Sequence, residues 1–332
     1  MKCFEIINAG KESQLKLVER PSPALGPGQL RIAIKTFGLN RADLMQRRGL
    51  YAPPKGETDI PGLEACGEVI EVDSKVSTTK IGDRVAVLLA AGGYADEVVV
   101  SEDLVLLLPD LMSFEEGGGL AETWLTAWSN LFLEAKIQEK RTSEKQLPAC
   151  ALIHSGASGV GLSSISLLKS FGHTVFTTVS TDEKAKACIE AGADTVIIYT
   201  KQDFVEIVKS AGGVDVILDA VGANYFSKNL ACLKRRGHLV MIGLMSGSKV
   251  DNLSLSDILM KNLTIQGTTL RSRPIQEKAS IIASFRQQVL PKFASGSLKV
   301  TIDSVFHVNQ IEEATNRMLS NLNQGKIIIT WQ

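Results

Sequence analysis

The chain has 332 residues, 44% of them hydrophobic and 22% charged, which is enough for two domains or one domain with a large insertion. Lys plus Arg and Asp plus Glu balance at 36 each, so no global basic field argues for nucleic acid or an anionic membrane surface. The opening M-K-C-F-E-I-I-N-A-G-K-E lacks the apolar core of a secretory signal, and no apolar run approaches the roughly 18 residues of a membrane-spanning helix, so a soluble cytoplasmic protein is expected.

The first 120 residues read as β-rich. F-E-I-I, L-K-L-V, L-R-I-A-I-K, G-E-V-I-E-V, R-V-A-V-L-L and Y-A-D-E-V-V-V are short β-prone runs between Gly, Pro and Asp turns, with one helical patch at R-A-D-L-M-Q-R-R. Their uneven spacing predicts an irregular barrel. From Glu115 to Phe132 apolar residues recur at helical spacing, which predicts a hinge helix between domains. The charged stretch at 136–146, K-I-Q-E-K-R-T-S-E-K-Q, reads as a solvated surface loop.

From residue 149 strand-like runs alternate with helical patterns: A-L-I-H, T-V-F-T-T-V, T-V-I-I-Y, V-I-L-D-A-V and L-V-M-I-G. That alternation is the pattern of βαβ units on a doubly wound parallel sheet, an α/β fold. The last run, I-I-I-T-W, is expected to return to the first domain. The cysteines (Cys3, Cys66, Cys150, Cys188, Cys232) are odd in number and scattered, which favours reduced thiols. The histidines (His154, His173, His238, His307) show no metal-ligand spacing, and each reads as a strand-end or surface residue.

The chemistry-bearing stretch is S-G-A-S-G-V-G-L at 155–162, between an apolar strand and a helix. Gly156, Ser158 and Gly161 take the three positions of a dinucleotide fingerprint, with serine in place of the middle glycine. Gly156 is expected to permit the tight turn and Gly161 to let helix and strand pack closely. The N–H groups of Ser158, Gly159 and Val160 are expected to face the diphosphate, assisted by the helix dipole. An NAD-preferring site ends its second strand in Asp or Glu; here that strand ends in Ser180, with Lys184 one helical turn later. A hydroxyl and an ammonium suit a 2′-phosphate of about two negative charges, so NADPH is favoured over NADH. Asp182 and Glu183 fit a helix start, and Tyr199 stands where it can close over the ribose-phosphate.

Several motifs in order then resemble one family. They are G-L-N-R-A-D-L-M-Q-R-R-G-L-Y-A-P-P (38–54), P-G-L-E-A-C-G-E-V (61–69), G-D-R-V-A (82–86), A-E-T-W-L-T-A-W (121–128), I-H-S-G-A-S-G-V-G (153–161), G-L-M-S-G (243–247), T-T-L-R-S-R (268–273) and G-K-I-I-I (325–329). Across nearly its whole length the chain resembles the zinc-free quinone oxidoreductases of the medium-chain dehydrogenase/reductase superfamily, in the group of zeta-crystallin and the tumour-suppressor-inducible quinone oxidoreductase. The resemblance implies a GroES-like β-barrel domain (1–121 and 275–332) and a Rossmann NADPH-binding domain (122–274), with the nicotinamide in the cleft between them. It also implies NADPH-dependent reduction of quinones in a homodimer or homotetramer. By motif, the implied cofactor contacts are Asn40, Thr126, Ser158, Gly159, Val160, Ser180, Lys184, Tyr199, Gly222, Gly243, Leu244, Met245, Thr269, Leu270, Arg271 and Lys326.

Zinc-dependent relatives carry a cysteine near position 40 and a His-Glu pair after the P-G motif. Asn40 and Leu63-Glu64 stand there instead, so no metal-assisted hydride transfer is expected. A quinone needs little help, since hydride addition leaves a delocalised hydroquinone anion and positioning does most of the work. Asn40 and Tyr51 are the polar candidates for meeting the developing oxyanion, with Arg271 a third; Glu64 reads as a buried hydrogen-bonding residue rather than a base. Two alternatives stay open: an NADPH-dependent reductase of enones or 2-enoyl thioesters, and a non-enzymatic NADPH-binding protein, crystallin-like or RNA-binding. Only K-R-R at 234–236 and R-S-R at 271–273 offer local basic patches, so nucleic acid is a disfavoured partner.

Overall fold

The structure, a computed structural model, describes residues 1–140 and 148–331. The chain forms two compact units, unit 1 of Met1–Leu125 with Leu270–Gln332 and unit 2 of Thr126–Thr269.

Unit 1 opens with an antiparallel pair, β1 (Lys2–Ile7) and β2 (Gln14–Glu19). Next come β3 (Gln29–Gly38), α1 (Arg41–Arg47), β4 (Glu64–Val72), β5 (Arg84–Leu88), β6 (Glu97–Ser101) and β7 (Val105–Leu107). The two-residue period of β3 buries Leu30, Ile32 and Ile34 on one face. Arg31, on the other face, pairs with Glu71 of β4 and Glu97 of β6. The single hinge helix expected over 115–132 is replaced by α2 (Phe114–Gly118) and α3 (Ala121–Trp128), followed by a wider i→i+5 turn over Ser129–Glu134. The cause of the break is the run Gly117–Gly119, each glycine costing about 1 kcal/mol of helix propensity. The expected solvated loop is also corrected: Ile137–Lys140 forms a 3-10 turn with Ile137 fully buried. Lys136, Gln138 and Glu139 of that stretch are exposed, and residues 141–146 lie outside the described residues.

Unit 2 continues with β8 (Cys150–Ile153), α4 (Gly159–Ser170), β9 (Thr174–Val179), α5 (Asp182–Glu190), β10 (Thr195–Ile198) and α6 (Phe204–Ser210). It ends with β11 (Val214–Asp219), α7 (Ala223–Cys232), β12 (Leu233–Met241), α8 (Ser256–Lys261) and β13 (Thr264–Gly267). The six strands pair in parallel in the order β10-β9-β8-β11-β12-β13. Helices cover both faces of such a sheet, so its central strands are buried on both sides; Ala151, Leu152 and Ile153 of β8 are all fully buried. Strand order reverses beside β8, and the turn leaving β8 is therefore at the topological switch point, where open α/β sheets bind ligands.

Unit 1 resumes with α9 (Ile275–Gln288), α10 (Leu290–Ala294), β14 (Ile302–His307), α11 (Ile311–Leu319) and β15 (Lys326–Thr330). As expected of I-I-I-T-W, β15 pairs antiparallel with β3 and parallel with β14. This gives a seven-stranded sheet ordered β14-β15-β3-β4-β5-β7, with β6 also on β3. No helix among the described residues is long and apolar enough to cross a membrane.

Candidate active site

The turn leaving β8 is built differently from its expected form. Ser155, not Gly156, takes the left-handed backbone (φ +56°), while Gly156 has no room for a side chain: a Cβ there would stand 2.0 Å from Thr177 Oγ1. A Cβ at Gly161 would meet the Ser155 and Gly156 carbonyl oxygens at 2.4 Å, so this glycine lets α4 start close against its own loop. Ser158 caps α4, its Oγ accepting from Gly161 N–H at 3.0 Å. The Ser158 N–H closes the turn onto Ser155 O at 2.9 Å and is spent. The N–H groups of Gly159 and Val160 have no partner among the described residues. They stand at the positive end of a twelve-residue helix, a ready anion site.

Because the strands are parallel, their C-terminal ends share one edge of the sheet. Ser158–Val160 follow β8, Ser180 follows β9, Tyr199 follows β10, Gly222 follows β11 and Gly243 follows β12. The fold thus gathers these candidates although they are spread over some 85 residues of sequence. Thr181, rather than Ser180, caps α5 through Lys184 N–H, leaving the Ser180 hydroxyl free of capping duty. Asp182 and Glu183 occupy the first turn of α5, and Asp182 is neutralised by Lys201 at 2.5 Å. Tyr199 is 46% exposed.

A buried chain of hydrogen bonds ties three of these loops together. Asn229 Nδ2 donates to Asp219 Oδ2 at 3.1 Å, so its Oδ1 must accept from His154 Nε2 at 2.8 Å. That fixes the tautomer: His154 Nδ1 is unprotonated and accepts from Thr178 Oγ1 at 2.9 Å. Burial lowers the His154 pKa to about 4, keeping the ring neutral. Asp219 in turn accepts from the N–H groups of Val221 and Gly222. Gly222 sits at φ +86°, and a Cβ there would lie 2.9 Å from Gly247 O. Loop 243–247 is stapled to the same place by Met245 N–H to Ala220 O and Ser246 N–H to Val221 O, leaving Leu244 and Met245 more than half exposed. Thr126 and Thr269 begin and end unit 2.

The remaining candidates belong to unit 1 and are mostly committed internally. Lys326 Nζ donates to Leu39 O and Asn40 Oδ1 at 2.8 Å and to Glu64 Oε1 at 2.5 Å, so none of its three protons is left. Asn40 Nδ2 spends both protons on Gly38 O and Glu64 Oε1. The Arg271 guanidinium donates to Ala90 O, Tyr51 O and Gln46 Oε1 and lies 5.0 Å from the centre of the Tyr51 ring. Leu270 beside it is buried. The Tyr51 hydroxyl alone has no partner among the described residues; burial raises its pKa, so it stays a donor. Glu64 is fully buried and accepts from Asn40, Lys326 and the Glu122 N–H, which leaves it no role as a base. Sequence reasoning passed over Glu122, an acid in the first turn of α3 whose Oε2 is buried without a hydrogen bond.

Residues 159–286 match the family described as zinc-binding dehydrogenase, and residues 26–130 match the alcohol dehydrogenase GroES-like domain. The human synaptic vesicle membrane protein VAT-1 homolog is 32% identical over 351 aligned residues, spanning 99% of this chain and 86% of that protein. The crystal structure of Escherichia coli quinone oxidoreductase complexed with NADPH shares the fold at TM-score 0.83 and 28% identity, with 99% of both chains covered. That of the CurK enoyl reductase does so at TM-score 0.81 and 25% identity, covering 99% of this chain and 98% of that one. The donor set does not fit the zinc of the first description. Leu63 is apolar, Glu64 is satisfied by an ammonium, and no group of three or more His, Cys, Asp or Glu among the described residues could hold a metal. Two domain matches, full-length relatives and a parallel six-stranded sheet joined to a GroES-like domain agree: this chain belongs to the medium-chain dehydrogenase/reductase superfamily, in its quinone oxidoreductase-like group.

Proposed function

We propose that this protein is an NADPH-dependent quinone reductase working without a metal. The observation that carries the reading is the end of β9, where a hydroxyl (Ser180) and an ammonium (Lys184) replace the carboxylate that would select NADH. The free amides of Gly159 and Val160 fit the diphosphate, and Leu244 and Met245 offer apolar surface on the same sheet edge. The relative solved with NADPH supports the same cofactor.

The bound dinucleotide supplies a hydride, or electrons singly. The chain's own residues bind and orient: Ser180 and Lys184 neutralise the 2′-phosphate, and the His154–Asn229–Asp219 chain holds the Gly222 turn. In unit 1 Tyr51 offers the free hydroxyl that can donate to a quinone oxygen as negative charge develops there. Asn40 and Lys326 hold Glu64 in place. No strong acid is needed, because the hydroquinone anion spreads its charge over an aromatic ring.

A second copy is the partner that unit 2 best fits. Strand β13 is one of the two edges of its sheet, and the preceding α8 packs Ile258 against the core while exposing Leu259 and Met260 by 70% or more. We therefore infer a homodimer, testable by light scattering. Five unpaired cysteines support a reducing compartment, the cytoplasm.

The test is steady-state oxidation of NADPH and NADH across a panel of quinones and enones. Faster turnover with NADPH and a quinone is the expected result. Failure to oxidise NADPH with any acceptor would overturn the reading in favour of a non-enzymatic nucleotide binder.

A further inference from the structure

Unit 1 carries a cavity that has no part in binding NADPH or a quinone. It holds about 150 Å³ and lies where the loop between β1 and β2 meets α1 and α11. Arg47 ends α1 and Arg48 caps it, while Glu312, Thr315 and Asn316 stand three and four residues apart on one face of α11. The loop brings Lys11 and Ser13. It is held against α1 by the Gly10 N–H on Arg47 O at 2.9 Å and by the Arg47 guanidinium on Ser13 O at 2.6 Å. Arg47 is buried and committed, donating also to Thr315 Oγ1 at 3.3 Å and to both Glu312 carboxylate oxygens at 3.1 Å. Glu312 is spent in those bonds and on the Leu15 N–H at 2.8 Å. Arg47 and Glu312 thus neutralise each other and form a fixed floor.

The rim is different. Lys11 and Arg48 also line the cavity, are exposed, and their side chains meet no partner among the described residues. The Asn316 amide, lining the same space, is likewise unpaired there. Glu312 is the one carboxylate of the lining, since Glu12, next along the loop, is not part of it. Three cations face that single carboxylate, so the cavity carries two positive charges in excess. The dipole of α1 accounts for a cation at its C-terminus. In a helix of seven residues Arg47 already meets that need, and the dipole does not call for Lys11 from a separate loop. From this geometry we propose that the cavity binds a phosphate monoester dianion, with Lys11 and Arg48 neutralising it and the Asn316 amide donating to a phosphoryl oxygen. Such a group carries about two negative charges and three acceptor oxygens, which two free cations and an amide match. Size limits the carrier. Drug-sized ligands occupy roughly 300–1,000 Å³, so a second dinucleotide is too large, whereas a phosphoryl group on a few carbon atoms fits.

The test is calorimetric titration of the whole protein with inorganic phosphate and with glycerol phosphate, at fixed ionic strength so that screening stays constant. Lys11→Gln combined with Arg48→Gln should weaken phosphate binding about tenfold or more, as expected for two lost charge-assisted hydrogen bonds. Both side chains are exposed and hold no other group, so the variant should melt like the parent when no phosphate is present. Its affinity for NADPH should not change, which separates this cavity from the amides of Gly159 and Val160 in unit 2. Cosedimentation with phosphatidic acid vesicles identifies the carrier. Vesicles that retain the parent but not the variant make the phosphate that of a lipid headgroup; glycerol phosphate bound without vesicle capture makes it a soluble ester, and either result supports the site. A parent that binds neither phosphate nor vesicles, or a variant that binds them as tightly as the parent, overturns it.

Discussion

Glu64 Oε1 and Lys326 Nζ meet at 2.5 Å with side-chain exposures of 0% and 3%, joining β4 to β15 across 262 residues of sequence. Two charges this deep lose their hydration, and the loss is offset only when every remaining donor and acceptor is used. Here that condition holds: Asn40 and the Glu122 N–H complete Glu64, and Leu39 O and Asn40 Oδ1 complete Lys326.

Removing one partner should therefore cost far more than removing both. Lys326→Met leaves a buried carboxylate unpaired and should destabilise the protein by about 3–5 kcal/mol in chemical denaturation. Lys326→Met combined with Glu64→Gln should recover much of that loss. If the two single-variant losses simply add, the pair is not the coupled unit described.

Nucleotide choice rests on Ser180. Ser180→Asp would set a carboxylate against the 2′-phosphate, which carries about two negative charges. The kcat/KM for NADPH should drop about tenfold to a hundredfold relative to NADH, each tenfold being about 1.4 kcal/mol. An unchanged NADPH/NADH ratio would place the 2′-phosphate elsewhere.

Tyr51 tests how little acid help a quinone requires. Tyr51→Phe keeps the ring over Arg271 and removes only the hydroxyl. Quinone turnover should fall less than about tenfold, as for one neutral hydrogen bond. A loss near a thousandfold would reveal an obligate acid and reject the mechanism.

The fold was largely legible in the sequence because its signals are local. The two-residue alternation of β3, the apolar runs of β8 to β12 and the Ser-Gly turn at 155–161 each declare themselves within ten residues. The final I-I-I-T-W run was placed correctly from its β character and its position after the βαβ units. The site was legible only in part, because its decisive contacts are distant. His154 reads as a strand-end residue until Asn229 and Asp219 arrive from 75 and 65 residues away. Lys326 is implied by its motif as a cofactor contact until Glu64 takes its charge. Glu122 drew no reading from the sequence, and only the residues of β4 and β15 around it show that its carboxyl is buried beside Glu64. The hinge helix failed for a local reason, since periodicity outvoted three consecutive glycines.

Glu122 also predicts a pH-dependent stability. Its pKa is raised from 4.5 to about 8 in the fold, so the unfolded chain releases this proton first. Below about pH 4.5 the group is neutral in both states and costs nothing; the cost grows as pH rises and is complete above about pH 8. Glu122→Gln should gain stability over the parent across that window, by at most about 1.4 kcal/mol per pH unit, and then hold level. Parallel stability curves would mean the carboxyl is ionised in the fold.

His154 gives the opposite sign. Its pKa falls from 6.5 to about 4 on folding, so the unfolded chain takes up a proton that the folded chain refuses. Stability is unaffected above about pH 6.5, declines as pH drops through the window, and has lost its full share below about pH 4. His154→Gln, whose amide can still donate to Asn229 Oδ1, should lose this acid sensitivity while keeping NADPH affinity near the parent's. His154→Phe fills the space but leaves Asn229 and Thr178 unpaired, which costs about 1–3 kcal/mol per buried group. If the bond to Asn229 is what holds the Gly222 turn, His154→Phe should weaken NADPH binding about tenfold, read by nucleotide fluorescence, and His154→Gln should not. Equal affinities in the two variants would show that this ring fills the core without positioning the turn.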